Sequence, residues 1–209
     1  MRYVFDFGAV LFRWRPLALM QRALPHWAVD EASAAHWADQ VFQAYGGDWG
    51  EFDRGTVEPA ELVSRIVART GLPCADVQRV LEEIPRELTP IPATVDLLTR
   101  LRRTGEPLYY LSNMPAPVAD HIERSHSVVQ WFADGVFSSR VQLIKPEPAI
   151  FDLSARRFGV APQSLVFLDD NVDNIDAARA AGWNALHFVD AAQAQAELRR
   201  LGWWPAQAG

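Results

Sequence analysis

Four short stretches of the chain end in groups that can do chemistry together. Phe5-Asp6-Phe7-Gly8 sets a carboxylate after an apolar run, and Leu111-Ser112-Asn113 sets a hydroxyl and an amide. Lys145-Pro146 offers an ammonium, and Phe167-Leu168-Asp169-Asp170-Asn171 an acidic pair. A carboxylate can attack an electrophile and hold it covalently. An attacked phosphoryl group spreads negative charge over its oxygens and calls for donors and cations. In that chemistry Asp6 is the nucleophile and Ser112 a hydroxyl donor. Backbone amides around Phe7, Gly8 and Asn113 add donors, and Gly8 permits close approach. Lys145 screens Asp6 from the phosphate. Mg²⁺ takes oxygen ligands and keeps several waters. Asp6, the Gly8 carbonyl and Asp170 suit it.

Each group has an ordinary use by itself. Asp6 could sit in a turn, Ser112-Asn113 could cap a helix, Lys145 could be a solvated charge, and Asp169-Asp170 could cap the helix that follows. The placement of all four sets them apart, and it depends on the elements that carry them. Tyr3–Phe5, Pro107–Leu111, Gly135–Ser138, Leu165–Leu168 and Ala185–Val189 read as short buried strands. Helical patterns lie between the later ones: Ile91–Arg103 before Gly105, Pro148–Phe158 before Gly159, and Asn174–Ala181 before Gly182. Alternation of this kind predicts an α/β fold with a doubly wound, Rossmann-like parallel sheet. Ligands of such sheets bind at the carboxyl ends of the strands, where all four groups fall.

The stretch 14–89 differs. Glu31–Tyr45, Glu58–Thr70 and Ala75–Ile84 are helical in pattern, and no strand stands out. The expected organisation is an α/β core of residues 1–13 and 90–209, interrupted by a helical insertion at 14–89. Thr89-Pro90-Ile91-Pro92 suits the return linker. Pro205–Gly209 reads as a loose tail.

Composition narrows the function classes. The 209 residues are 49% hydrophobic and 22% charged, with a net charge of −6. An acidic chain without clustered Lys and Arg is a poor partner for nucleic acid. No apolar window is long enough for a membrane span. A single cysteine, Cys74, excludes an intrachain disulfide and a cysteine-based zinc cluster, and points to a reducing cytoplasm. The expected partner is a small phosphorylated substrate, and the expected assembly a monomer or homodimer.

Taken as a set, the four motifs resemble those of the haloacid dehalogenase superfamily, over about residues 1–190. The helical insertion resembles that superfamily's C1 cap. Trp49–Val57 (WGEFDRGTV) resembles a cap stretch of the subgroup that contains α-D-glucose-1-phosphate phosphatase. The resemblance implies a mobile cap over the sheet and an aspartyl-phosphate formed on Asp6. It also implies that Ser112 and Lys145 hold the phosphate, that Asp170 anchors Mg²⁺, and that Asp169 supports the ion from behind. A Mg²⁺-dependent phosphomonoesterase is expected, with a sugar phosphate as first substrate.

One departure matters. Phosphatases of the superfamily commonly carry a second Asp two residues after the nucleophile, which protonates the leaving group. Here Gly8 stands there. Candidate substitutes are a water, a substrate hydroxyl, or Asp48, Asp53 or Arg54. Two other readings compete: a metal-independent 2-haloacid dehalogenase, and a catalytically weak binding or regulatory protein of the same fold. The acidic pair weighs against the dehalogenase, because two carboxylates facing Asp6 repel one another and a carboxylate substrate. Trp49 and Arg54 are the residues of the insertion expected to touch substrate, with Trp14 as a further wall. Trp203 and Trp204 could form a dimer patch or pack back on the core.

Overall fold

A computed structural model describes residues 1–205. The loose tail expected from Pro205 onward lies, beyond that residue, outside the described residues. Strand β1 (Arg2–Phe5) is followed by five helices: α1 (Pro16–Ala23), α2 (Glu31–Phe42), α3 (Gly47–Arg54), α4 (Pro59–Thr70) and α5 (Cys74–Glu87). Then come α6 (Pro92–Arg102), β2 (Leu108–Ser112), α7 (Ala116–Ser125), β3 (Asp134–Phe137) and the single turn α8 (Ser138–Val141). The chain ends with α9 (Pro148–Phe158), β4 (Leu165–Asp169), α10 (Val172–Ala180), β5 (Asn184–His187) and α11 (Ala191–Arg200).

The five strands form one parallel sheet in the order β3-β2-β1-β4-β5. Their period of two splits the side chains between two cores. Tyr3 and Phe5 of β1, Leu108 and Tyr110 of β2, and Val166 and Leu168 of β4 enter one apolar cluster. Val4, Tyr109, Leu111 and Phe167 enter the other, with Ile150, Phe151 and Phe158 of α9. Both faces are covered, so the strands read as continuous apolar runs. The first cluster continues without a break into α1–α5, through Leu19, Met20, Leu62 and Ile66.

Local chemistry sets the helix limits. Pro begins α1, α4, α6 and α9, where its missing N–H costs nothing. Asp30 and Ser33 form a capping box at the start of α2. The chain leaves for α1–α5 and returns from them at one place: Arg13 N donates to Thr89 O at 2.9 Å and Ile91 N to Leu11 O at 2.8 Å. The expected helix Glu31–Tyr45 stops at Phe42, and Gln43, Ala44 and Tyr45 turn through left-handed backbone. Trp203 and Trp204 pack back on the core, and Tyr3 donates its hydroxyl to Trp203 O at 2.6 Å. Among the described residues, no helix is long and apolar enough to cross a membrane.

Gly135 of β3 lies flat against the ring of Tyr110 on the neighbouring strand, and a methyl group there would overlap the ring. Phe7, Phe132 and Phe137 pack around the Tyr110 ring, so moving it disturbs that cluster. Gly135→Ala is expected to cost about 1–3 kcal/mol by overpacking, seen as a fall in Tm of roughly 2–10 °C in thermal unfolding.

Candidate active site

The carboxyl ends of β1, β2 and β4 open onto one cavity of about 270 Å³. Asp6, Gly8, Ser112, Asn113, Lys145 and Asp170 line it, so the four sequence stretches do meet. Asp6 follows β1 directly, and its N–H still donates to Leu168 O at 2.9 Å, in the manner of the sheet. The chain then turns tightly, with Leu11 N and Phe12 N both donating to Phe7 O. The Phe7 ring is driven into a cluster with Phe12, Tyr110, Phe132 and Phe137. That ring anchors the loop and stays out of the cavity wall. Gly8 does line the cavity, but close packing does not explain it: a Cβ there would meet nothing within 4 Å. The space above Gly8 is open.

Lys145 is the centre of the charge arrangement. Its Nζ donates to Asp169 Oδ2 at 2.6 Å and lies 3.0 Å from Asp6 Oδ1, with the side chain almost fully buried. Asn113 holds the backbone of this lysine from both sides. The amide donates to Lys145 O at 2.9 Å, and Oδ1 accepts from Lys145 N at 2.8 Å. Burial alone would push the ammonium down, but the charges of Asp169 and Asp6 outweigh it and hold Lys145 above its ordinary range.

Asp169 is saturated. Oδ1 accepts from Asn171 N at 2.8 Å and from Asn174 Nδ2 at 3.1 Å, while Oδ2 accepts from Asn174 Nδ2 and Lys145. Asn174 is a site residue that the sequence reading did not single out. Its only signal was its place in the first turn after the acidic pair. Asp6 is held less fully: its buried Oδ1 meets the Lys145 ammonium at 3.0 Å, as an ion pair without hydrogen-bond alignment. Burial raises the Asp6 carboxyl well above its ordinary range. Lys145 opposes that, and Asp169 and Asp170 reinforce it. Asp170 is likewise raised, by burial first and then by Asp169.

These residues fit a hard divalent cation. Asp6, Asp169 and Asp170 each bring a carboxylate oxygen within 4.8 Å of the others. With Asp169 occupied by its donors, Asp6 and Asp170 are the two carboxylates with oxygens to spare. Three clustered carboxylates face one lysine, and the repulsion left between them calls for more positive charge.

The helices over the sheet complete the cavity. Trp14, Trp49 and Asp53 line it from that side, as expected for the two tryptophans. Arg54 does not reach it. Its guanidinium grips Glu147 through two bonds, at 2.9 and 2.5 Å, and donates to Gln142 O. That partner is 93 residues away and turns Arg54 from a substrate contact into a tie between α3 and the loop carrying Lys145. Asp48 is engaged by Arg65 and Arg69. Of the three candidates for the missing acid, Asp53 alone faces the cavity. Its backbone carbonyl accepts from Ser138 Oγ at 2.5 Å, and that hydroxyl also accepts from Met114 N. Burial raises the Asp53 carboxyl to about 8. Lys145 works against the shift, Asp6 adds to it, and the Trp49 side chain lowers it.

Residues 18–182 match the haloacid dehalogenase-like hydrolase family. The chain belongs to that family. Within it, the hydrolase is 27% identical to the sesquiterpene phosphatase astK of Aspergillus oryzae over 199 residues, 95% of this chain and 94% of the relative. It is 32% identical to phosphoglycolate phosphatase of Shigella boydii over 125 residues, which are 59% of this chain and 47% of that one. The hydrolase thus aligns with about half the length of the latter. A HAD-family enzyme from Bacteroides thetaiotaomicron, solved with magnesium and inorganic phosphate, shares the fold at a TM-score of 0.68. It is 22% identical, over 90% of this chain and 94% of that one.

The buried Asp53 makes stability depend on pH in a definite direction. Its carboxyl sits at about 8 when folded, against an ordinary 3.8. A raised carboxyl favours the fold at low pH, and that contribution is lost as pH climbs from the unfolded value through the folded one. Without added metal, Asp53→Asn should therefore gain in Tm relative to the parent as pH rises from about 4 to about 8 and hold that gain above it. Melting curves across this range check it. A difference that does not change with pH would count against the buried, protonated carboxyl.

Proposed function

We propose that the hydrolase is a Mg²⁺-dependent phosphomonoesterase that works through an aspartyl-phosphate on Asp6. The observation that carries this reading is the buried Asp6 carboxylate, ion-paired to Lys145 at 3.0 Å and clustered with the oxygens of Asp169 and Asp170. Asp6 and Asp170 would hold the ion, with the Gly8 carbonyl as a third oxygen and Asp169 behind them. A bound Mg²⁺ would neutralise charge on the phosphoryl oxygens and keep Asp6 ionised.

The chain's own groups do the rest. An oxygen of Asp6 attacks phosphorus, the acyl phosphate bond forms, and the bond from phosphorus to the leaving oxygen breaks. Ser112 and Lys145 hold the transferred oxygens, with the backbone amides of the Phe7–Gly8 turn and of Asn113 as further donors. Asp53 gives its proton to the leaving alcohol, taking the role for which Gly8 has no side chain. Water then attacks phosphorus, passes a proton to Asp53, and releases phosphate and free Asp6. The helices α1–α5 act as a cap over this site, on residues 14–89. Lone Cys74 is exposed and fits a reducing cytoplasm. The phosphatase relatives support the reaction class.

Hydrolysis of p-nitrophenyl phosphate by the purified protein tests the reaction. Turnover is expected with Mg²⁺ and not in EDTA. Asp6→Asn should abolish it while the melting curve stays cooperative, and Asp170→Asn should raise the Mg²⁺ concentration needed for half activity. Chloride release from 2-haloacids in EDTA would instead favour the dehalogenase.

Asp53 has its own test. Asp53→Asn should lower kcat about 10²–10⁴-fold on an alkyl phosphate, whose leaving group needs a proton, and by less on p-nitrophenyl phosphate. Because the space at position 8 is open, Gly8→Asp in that background should restore part of the rate. An Asp53→Asn enzyme of parental rate on alkyl phosphates would remove Asp53 from the mechanism.

A further inference from the structure

We infer that the substrate's leaving group is a hydrocarbon, so that the enzyme takes the monophosphate of an apolar alcohol, alkyl or isoprenoid, rather than a sugar phosphate. This rests on the phosphatase reading and concerns the part of the cavity that the phosphate does not fill.

The cavity wall mixes two kinds of group. Polar ones come from the strand ends, around Asp6, Ser112, Lys145 and Asp170, with Asp53 on the side of the insertion. Apolar side chains make up much of the rest. Ile84 and Leu88 come from the end of α5 and the turn after it, and Met114 and Val118 from the β2–α7 side. Trp14, Tyr45 and Trp49 close the aromatic side. One polar tip is already spent: Trp14 Nε1 donates to the Tyr45 hydroxyl at 2.6 Å, which leaves the proton of that hydroxyl as the donor this pair can offer a polyol. A hexose placed here would bury hydroxyls against carbon, and each unmatched hydroxyl weakens binding.

Charge excludes a second class. Among the described residues, Lys145 is the one cation in the cavity wall, and it is already shared by Asp6 and Asp169. A leaving group that carries a carboxylate would find no free positive charge in this wall, since Lys145 and the ion proposed above are engaged by the acids and the phosphate, and Asp173 adds a negative charge. Arg54, which could have supplied one, is bound to Glu147. A hydrocarbon meets neither obstacle. Each methylene it buries on these walls is worth roughly a three- to fourfold gain in affinity.

A homologous series reads this out. The full-length protein with Mg²⁺ is assayed on n-alkyl monophosphates from ethyl to octyl, on geranyl monophosphate, on glucose 1-phosphate and on phosphoglycolate. The expected result is a kcat/KM that climbs roughly three- to fourfold per methylene along the shorter members. Octyl and geranyl phosphates should stand about a hundredfold or more above glucose 1-phosphate. Met114→Gln should flatten the climb. A series flat in chain length, or glucose 1-phosphate equal to octyl phosphate, overturns the inference. If p-nitrophenyl phosphate is hydrolysed meanwhile, the phosphatase reading stands alone.

A second arm does not need turnover. Asp6→Asn protein is titrated with n-alkylphosphonates and read by tryptophan fluorescence, since Trp14 and Trp49 line the wall. Affinity rising with chain length supports the apolar site even where no phosphate is released. Affinity independent of chain length overturns it.

Discussion

A buried lysine between two buried aspartates is the constraint on which the structure turns. Taking an ammonium and two carboxylates out of water costs several kcal/mol per ion, and only good geometry with every other lone pair satisfied repays it. The fold supplies that geometry from three directions. Asn113 fixes the lysine backbone, Asn174 and Asn171 N fill Asp169, and β1 and β4, paired in the sheet, hold Asp6 and Asp169 side by side. Asp6 Oδ1 meets the lysine at 3.0 Å but without hydrogen-bond alignment. The cost of that imperfect pairing is confined to the point where chemistry is proposed.

The helices over the sheet belong to the same arrangement. The apolar core runs from the sheet into α1–α5 without a break, and α3 is tied to the β3–α9 connection by Ser138 and by the Arg54–Glu147 pair. These ties sit on both sides of Asp53, at its own carbonyl and at its neighbour's guanidinium. They hold a carboxyl from the insertion in the wall of the cavity that Gly8 also lines. The proton donor that motif one lacks is thereby proposed to come from the opposite wall. The same wall supplies the apolar surface on which the hydrocarbon inference rests.

Much of the architecture was legible because its signals are local. Parallel strands covered on both faces read as short apolar runs, and all five were placed within a residue or two. Gly just past the last periodic residue marked the ends of α6, α9 and α10, whereas α1 and α3 were not picked out as separate helices. The left-handed turn at Gln43–Tyr45 was not legible, since neither Ala nor Tyr announces positive φ. Arg54 was misread for a related reason: its partner Glu147 lies in another part of the chain, and a charged side chain does not declare its partner. Asn174 escaped notice because one amide in a helix's first turn looks like any cap.

The sequence by itself determined which reactive groups end the strands and that they converge. Parallel strands point the same way, so whatever follows each one shares an edge of the sheet regardless of loop detail. Only the tertiary structure decided how those groups are charged and which residues of the insertion face them. Ionisation follows burial and the distance between charges, and the facing wall follows how helices dock. Both are set by contacts between residues that no local pattern links.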